Sequence, residues 1–261
     1  CAYEMEDTYS GANVIPSRPN YIISHDGRLY ISGSTDDNDS VFISDIQTPF
    51  YFPAVLPMQL PSNADKIVGL TVFDSCVIVG RKYDIYSIRG TTNRLDAGME
   101  LFTLKKLNTH TGFANNDCFD LVHNYLFFLG HDGVAYALSA GRVDEHILAT
   151  QVISRQINLR NEPFNITSTD YSTVATCYFQ DEWYVSIADK VLVYNYNMRA
   201  WTMYTGLNAR SFKAIKYELV WGNDEGRMAK FGGSYLDFGK PYDAIWRSKI
   251  IYLDSPTYNK Y

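Results

Sequence analysis

The densest cluster of side chains that could do chemistry is the run Asp36-Asp37-Asn38-Asp39. Carboxylate and amide oxygens are the ligands that Ca²⁺ prefers, so Asp36, Asp37 and Asp39 are the candidate metal ligands of this chain. The run lacks the glycine and the distal glutamate of an EF-hand loop. A solvated hairpin loop is therefore the stronger interpretation, and the sequence predicts neither a metal site nor a cofactor.

Three further carboxylates could serve a glycoside hydrolase, which needs two such groups about 5 to 10 Å apart. They are Asp74, Asp120 and Asp170, and nothing in their spacing marks a pair. His25 and His131 lie in similar turns, which indicates a repeated structural role rather than a shared metal ion. The Gly-x-Ser-x-Gly, phosphate-binding glycine-loop and His-Glu-x-x-His motifs are absent from the sequence. We therefore predict that the protein is not an enzyme.

Short β-hairpins are the elements that must position these side chains. The sequence predicts them from an acidic-glycine turn that is followed by alternating apolar residues. This combination occurs three times, at Asp26-Gly27, Asp132-Gly133 and Asp224-Glu225-Gly226. Such a turn tolerates the positive φ angles of a tight hairpin, so Gly27, Gly133 and Gly226 are predicted to be structural turn residues. Looser versions of the turn include Asp74, Asn124 and Asp181. A repeat of about 40 to 50 residues made only of short strands is typical of a β-propeller.

The sequence thus predicts an all-β fold, a β-propeller of about five to six blades that are mostly antiparallel four-stranded sheets. The propeller occupies residues 20–245, after a polar entry arm at residues 1–19. Residues 246–261 read as a closing or exit strand that leads to a missing part of a longer protein. One short helix is predicted over residues 142–158, because its apolar residues lie near a 3.6-residue period and acidic residues occupy its first turn.

Composition narrows the classes of function. The chain has 23 basic and 29 acidic residues and a net charge of −6. A protein that grips nucleic acid at the phosphates needs a basic surface, so tight DNA binding is not expected. No apolar run is long enough to span a membrane as a helix. The four cysteines lack C-x-x-C spacing, and we expect buried free thiols of the kind found in reducing cytosol.

A proline-flanked aromatic segment, Phe50-Tyr51-Phe52, interrupts the strand pattern. Proline cannot donate to a sheet ladder, so this segment is predicted to be an ordered connection rather than a central strand. Its three aromatic side chains either pack beneath a long loop or contact another subunit. The sequence leaves both interpretations open.

Several stretches, taken in order, resemble the propeller of phage tail proteins: the nozzle (tail tubular) proteins of short-tailed phages and the related packaged-DNA stabilisation proteins. The stretches that carry the resemblance are residues 27–33, 36–44, 49–53, 67–73, 85–90, 127–134 and 193–201. The ordered series carries it, since each stretch alone is unspecific, and the match extends over residues 20–245. Members of that family are usually much longer than this chain.

The resemblance implies a structural virion protein of the phage tail, without catalytic activity. It would form a homo-oligomeric ring, six-fold in that family, around the DNA exit channel, beside other tail proteins such as the adaptor and the fibres. DNA would pass through during ejection without being tightly bound. The protein would be assembled in the host cytoplasm and reside in the virion.

Two other functions stay open at this point. The first is a receptor- or glycan-binding propeller at the tail tip, and the second is a propeller glycoside hydrolase. Exposed aromatic side chains around one pocket would indicate the glycan binder, whereas converging carboxylates would indicate the hydrolase. A ring component would instead show large subunit contacts.

Overall fold

The chain folds into short antiparallel strands. A computed structural model describes residues 13–54, 57–61, 65–90, 102–109, 111–140, 148–155, 157, 166, 170–231, 236–237 and 240–241. Most of the predicted entry arm and the whole predicted closing strand lie outside the described residues. Among the residues that the structure describes, no helix is long and apolar enough to cross a membrane.

Four sheets contain four antiparallel strands each, and in each sheet the spatial order of the strands follows the chain. Blade 1 consists of β1 (Tyr21–His25), β2 (Arg28–Ser32), β3 (Ser40–Ile43) and β4 (Met58–Gln59). Blade 2 consists of β5 (Ile67–Phe73), β6 (Cys76–Arg81), β7 (Ile85–Gly90) and β8 (Phe102–Lys106). Blade 3 consists of β9 (Phe119–Val122), β10 (Tyr125–Leu129), β11 (Ala135–Ala140) and β12 (Leu148–Val152). Blade 4 consists of β13 (Ala175–Phe179), β14 (Glu182–Ile187), β15 (Lys190–Asn195) and β16 (Ala200–Thr205).

A short 3-10 helix (Asp170–Thr173) precedes blade 4, and a fifth, three-stranded sheet follows blade 4. Blade 5 consists of β17 (Ala209–Ile215), β18 (Glu218–Asn223) and β19 (Met228–Lys230). A separate hairpin contains β20 (Leu236–Asp237) and β21 (Lys240–Pro241). The first strands of successive sheets contact each other, β1 with β5, β9 with β13 and β13 with β17. The sheets therefore radiate from their first strands, and the predicted all-β propeller, with about five blades, is confirmed.

Apolar side chains between the blades form the core. One cluster joins blades 1 and 2, the largest joins blades 2, 3 and 4, and a third joins blades 4 and 5. All six residues of β6 are buried, because blade 2 has a neighbour on each face. Each fully buried aliphatic side chain contributes about 1.5 to 3 kcal/mol, so the packing of blade on blade is the main source of rigidity.

The predicted helix over residues 142–158 is wrong where the structure describes that segment. Leu148–Val152 is β12, the outer strand of blade 3, and it pairs with β11 from Tyr136↔Val152 to Ala140↔Leu148. The free edge of β11 offers an unpaired row of backbone groups, and pairing with it overrides a weak local helical period. Residues 141–147 lie outside the described part of the chain.

The sequence predicts that His25 and His131 lie in similar turns, and this prediction is wrong. The three acidic-glycine turns do not occupy equivalent positions in their blades. Gly27 lies between β1 and β2, whereas Gly133 lies between β10 and β11 and Gly226 between β18 and β19. The equivalents of the β1–β2 turn in the later blades are the looser turns Asp74-Ser75, His123-Asn124, Gln180-Asp181 and Lys216-Tyr217. Spacing alone could not distinguish the successive hairpins of one blade, because each of them needs a turn residue that tolerates positive φ.

Candidate functional site

The acidic loop, the first candidate site, ties blade 1 to blade 2. Asp39 Oδ1 accepts a hydrogen bond from Arg81 Nη2 at 2.9 Å, and the Arg81 side chain is fully buried. Asp37 Oδ1 accepts the Asp39 backbone N–H at 3.1 Å, and Asp36 accepts a hydrogen bond from the Ser17 hydroxyl. These carboxylates therefore face different protein partners. Within the described ranges, no group of three or more His, Cys, Asp or Glu side chains is arranged to hold a metal ion.

The three turn glycines all have positive φ, at 70° for Gly27, 79° for Gly133 and 76° for Gly226. Their surroundings differ. A Cβ at Gly133 would overlap the hydroxyl of Tyr171, a buried side chain at the entrance to blade 4. A Cβ at Gly226 would meet nothing within 4 Å. Gly133 is thus a point of close approach between two blades, whereas Gly226 is needed only for its backbone conformation.

Within the aromatic segment, one side chain is buried against blade 1 and another is largely exposed. Phe52 is 5% exposed and packs with Ile31 and Phe42 of blade 1. Phe50 is 69% exposed, and Tyr51 is half-buried. The Asn13 side chain holds the segment in place, since its amide donates to Phe50 O and its carbonyl accepts from Phe52 N.

An apolar face lies on the side of blade 1 that points away from blade 2. Ile31 and Phe42 alternate along their strands with the side chains that pack on blade 2, so they face the opposite way. Ile22 pairs with Ile31 and is 68% exposed, and Ile15 is 57% exposed. We call this surface the end face; it is formed by Ile31, Phe42 and Phe52 with the partly buried Val14 and Leu29 and the exposed Ile22. The exposed Ile15 and Phe50 lie within two residues of Val14 and Phe52 in the chain.

The three carboxylates considered for glycoside hydrolysis lie on different elements. Asp74 is in the β5–β6 turn of blade 2, and Asp170 begins the 3-10 helix. Asp120 lies on β9 and faces Thr176 and Trp183 of blade 4. The sheet of blade 3 therefore separates Asp74 from Asp120, and these two are not arranged as a catalytic pair.

Asp120 is an unusual buried acid. Desolvation raises its pKa from 3.8 to about 6, although the Thr176 hydroxyl and the Trp183 indole N–H offset part of that effect. Neither Asp120 Oδ2 nor Trp183 Nε1 has a partner in good hydrogen-bond geometry among the described residues. Desolvation dominates, because a buried carboxylate oxygen without a hydrogen-bond donor strongly disfavours the charged form.

Replacing this acid by its neutral isostere, Asp120→Asn, is expected to stabilise the protein at alkaline pH. The folded state binds the Asp120 proton more tightly than the unfolded state, so the wild type loses stability as pH rises from 3.8 to about 6. At pH 8 the variant should unfold with a free energy higher by about 2 kcal/mol, measured by denaturant titration. At pH 4 the two proteins should be equally stable. Asp189→Asn, in an exposed turn, is the matched control and should show no such dependence on pH; equal effects of Asp120→Asn at both pH values would contradict the account.

Sequence reasoning missed a cluster at the blade 3–blade 4 boundary. The Tyr178 hydroxyl donates to Asp181 Oδ1 at 2.9 Å and lies 2.9 Å from His123 Nε2. The Asn197 amide donates to the other Asp181 oxygen at 3.0 Å, and the His123 ring packs on Tyr196 at 4.7 Å between centroids. Part of the signal was present, because Asp181 and Asn124, the neighbour of His123, were both predicted to be turn residues. Their adjacency appears only when neighbouring blades are placed side by side.

Burial and hydrogen bonding set the protonation of this cluster. Burial, with the nearby Asp181 carboxylate, raises the pKa of Tyr178 to about 12. Hydrogen bonds from Tyr178 and Asn197 lower the pKa of Asp181 below its ordinary value. Tyr178 is thus a neutral hydrogen-bond donor at physiological pH, and the cluster fixes the His123 ring rather than providing a nucleophile.

An open groove of about 600 Å³ lies beside this cluster, between the first hairpin turns of blades 2 and 3. Its lining includes Asp74 of blade 2 and the turn residues His123, Asn124 and Tyr125 of blade 3, although the rings of His123 and Tyr125 pack on Tyr196 of blade 4. Leu121, which is 56% exposed, contributes apolar surface, whereas the Val72 side chain packs in the cluster between blades 1 and 2.

No protein-family model matches the chain, and no curated protein matches it. Among solved structures, BamB from Moraxella catarrhalis is similar over 80% of this chain and 56% of its own, with a TM-score of 0.50 and 12% identity. PorZ, a surface component of the type-IX secretion system of Porphyromonas gingivalis, covers 81% of this chain (TM-score 0.44, 12% identity). The designed Ika4 protein covers 66% of this chain and 94% of its own (TM-score 0.42, 13% identity).

The likeness to BamB supports the β-propeller fold and nothing further, because the identity is low. This chain spans about half the length of BamB and 24% of the length of PorZ. The comparison with BamB therefore supports the fold alone.

Proposed function

We propose that this protein is a structural, non-catalytic component of a bacteriophage tail, with its propeller forming part of the nozzle ring around the DNA exit channel. The observation that carries the proposal is the end face of blade 1. It presents Ile22 to solvent beside the buried Ile31 and Phe52, and the exposed Ile15 and Phe50 lie close to its members in the chain. A rigid blade with an exposed apolar face suits a repeated contact between identical subunits.

The family resemblance over residues 20–245 supplies the identity of the ring. In such an assembly the neighbours would be further copies of the chain, in a ring that is six-fold in that family, together with an adaptor and fibres. The protein would be assembled in the host cytoplasm and reside in the virion. The propeller would act by geometry: stiff blades hold the contact surfaces at fixed angles, and ring symmetry multiplies modest contacts.

The charge distribution supports passage of DNA without tight binding. Many basic side chains lie 2.6 to 3.9 Å from a carboxylate; they are Arg28, Arg81, Arg89, Lys106, Lys190, Arg210, Arg227 and Lys230. A cation that is already paired with a carboxylate releases fewer counterions from DNA and so adds less affinity. With a net charge of −6, the surface would let duplex DNA slide past.

The proposal predicts that Phe50→Asp weakens self-association without unfolding the protein. Phe50 is largely solvent-exposed in one subunit, so a carboxylate there costs little in the monomer. Buried in a subunit contact, the same carboxylate is desolvated, and association should weaken by about tenfold or more. Sedimentation velocity over a concentration series measures the association, and thermal melting checks the fold.

Two matched variants make this experiment decisive. Tyr217→Asp changes an aromatic residue that is 87% exposed on blade 5 and should leave association unchanged. Phe52→Asp should unfold blade 1, because that ring is buried. A parent chain that stays monomeric at high concentration would contradict the proposal, and so would sub-micromolar binding of duplex DNA at physiological salt.

A further inference from the structure

Blade 4 ends in an outer strand whose free edge is open. β16 contains six residues, Ala-Trp-Thr-Met-Tyr-Thr, and none of them is charged or a proline. Among the described residues, only those of β15 pair with it. Such an edge offers a row of backbone N–H and C=O groups to another strand, and natural edges are usually protected by charge, proline or shortness.

The outer strands of the other four-stranded blades are less suited to such pairing. β4 has only two residues, and β8 ends in Lys105 and Lys106. β12 has no aromatic residue, whereas β16 has Trp201 and Tyr204, large side chains of the type that anchors protein interfaces. Tyr204 is 47% exposed. The edge of β16 is therefore better suited to an intermolecular contact than the other outer edges.

Backbone groups of β15 bond alternately to β14 and to β16. The β14–β15 hairpin closes at Ile187↔Lys190 over a two-residue turn, and the closing pair of such a hairpin exchanges hydrogen bonds. Lys190 and every second residue after it therefore bond to β14. The Tyr196 N–H continues this series beyond the strand by donating to Asp181 O at 2.8 Å. The β15 residues between them bond to β16.

The register then shows which backbone groups of β16 point outward. The β15 residues that bond to β16 lie opposite Ala200, Thr202 and Tyr204. The Gly206 N–H, next in this series, donates to Asp189 O at 3.0 Å. The alternate residues of β16 have N–H and C=O groups that face away from β15; they are Trp201, Met203 and Thr205.

We propose that β16 pairs in an antiparallel manner with β16 of a second copy of this chain, across a two-fold axis at Met203. This goes beyond the ring proposed above, because it uses the outer edge of blade 4 and not the end face of blade 1. In this register Trp201 lies opposite Thr205 of the second copy, and Met203 lies opposite its own counterpart. All three outward residues then exchange N–H···O bonds with the other copy, and the two blades form one continuous sheet.

The side chains in this register are complementary to themselves. Tyr204 lies opposite Thr202 of the second copy, which is an aromatic–β-branched pair of the kind that stabilises sheets, and no like charges meet. At each end of the contact, Arg199 of one copy and Asp189 of the other flank the same Gly206, because Asp189 O accepts the Gly206 N–H. The Asp189 side chain is 65% exposed, so it is open to this cation. A contact of this symmetry closes at a dimer.

The test is sedimentation velocity on the Phe50→Asp chain, in which the contact proposed for the ring is weakened. We expect this chain to form dimers at about 100 µM, a concentration suited to a small interface. Thr205→Pro in the same chain should weaken dimerisation by about tenfold or more, because it removes an outward N–H at both ends of the contact. Thr205→Ala is the matched control; it keeps the N–H and should dimerise as its parent does.

Amide hydrogen exchange, followed by NMR, reports on the strand edge itself. The N–H groups of Met203 and Thr205 should exchange more slowly as the protein concentration rises, because the second copy covers them. Those of Thr202 and Tyr204 bond to β15 in each chain, so their exchange should depend far less on concentration. Thr205→Pro should melt as Thr205→Ala does, because the N–H that it lacks makes no hydrogen bond within the sheet.

Four results would overturn the inference. The first is a Phe50→Asp chain that stays monomeric, as expected if the edge instead accepts a strand of a different protein. The others are equal dimerisation of Thr205→Pro and Thr205→Ala, Met203 and Thr205 amides that do not respond to concentration, and a Thr205→Pro variant that melts well below Thr205→Ala. A dimer that Thr205→Pro disrupts and Phe50→Asp does not alter would support the inference and reject the ring contact, so the two proposals are separable.

Discussion

Gly133→Val is expected to lower the free energy of unfolding by about 4 kcal/mol, through backbone strain and overpacking together. Its φ of 79° disfavours any residue with a Cβ, and most of all a β-branched one. The added carbons would also meet Tyr171, which is 1% exposed and packed between blades 3 and 4. Denaturant titration of the two proteins measures the difference.

Two comparisons isolate the contribution of the close approach. Gly226→Val has nearly the same φ, 76°, and open space around it, so it should cost only about 1 kcal/mol from backbone strain. Combining Gly133→Val with Tyr171→Phe removes the hydroxyl that the new side chain meets and should recover part of the loss. If the Gly133 and Gly226 variants lose the same stability, blades 3 and 4 do not approach each other as described.

The hairpins were predictable from the sequence because their determinants are local. A turn that needs positive φ selects Gly, Asp or Asn, and a strand buried on one face alternates. Blade 4 shows this well. Its apolar alternation predicts strands over residues 172–179, 182–187, 190–194 and 200–204, and β13 to β16 cover nearly these residues, except that β13 begins three residues later. The prediction of a helix at β12 was wrong for the opposite reason. The conformation of β12 depends on pairing with the edge of β11, and its own residues fit a helical period equally well.

The sites were less predictable because they arise between blades. Asp120 could be named from the sequence as a carboxylate, but its raised pKa depends on burial against blade 4. The contact of His123 with Tyr178 and Asp181 joins two turns that are far apart in the sequence. A repeat length places such turns on successive blades, yet it does not show which side chains meet across the boundary.

The acidic loop has a composition that suits metal binding, yet its Asp39 carboxylate forms an ion pair with Arg81. Asp39→Ala is expected to destabilise the protein by about 3 kcal/mol, because it takes a charged partner from a buried guanidinium. Arg81 also donates to Pro61 O at 2.7 Å and lies over the Tyr86 ring. These contacts hold the arginine in place, so it cannot move to water when the carboxylate is removed. Thermal and denaturant melts give the loss.

Asp37→Ala is the matched control in the same loop. Its carboxylate accepts the Asp39 backbone N–H, a partly exposed hydrogen bond whose loss should cost about 1 kcal/mol. A metal site would give a different pattern, because Asp37 and Asp39 would then contribute together to a bound ion. Millimolar Ca²⁺ would raise the melting temperature of the parent by mass action, and either substitution would abolish that rise. If the ion-pair account holds, Ca²⁺ changes nothing. Only the Asp39 variant is then severely destabilised, because the Asp39 carboxylate binds the buried Arg81 of blade 2.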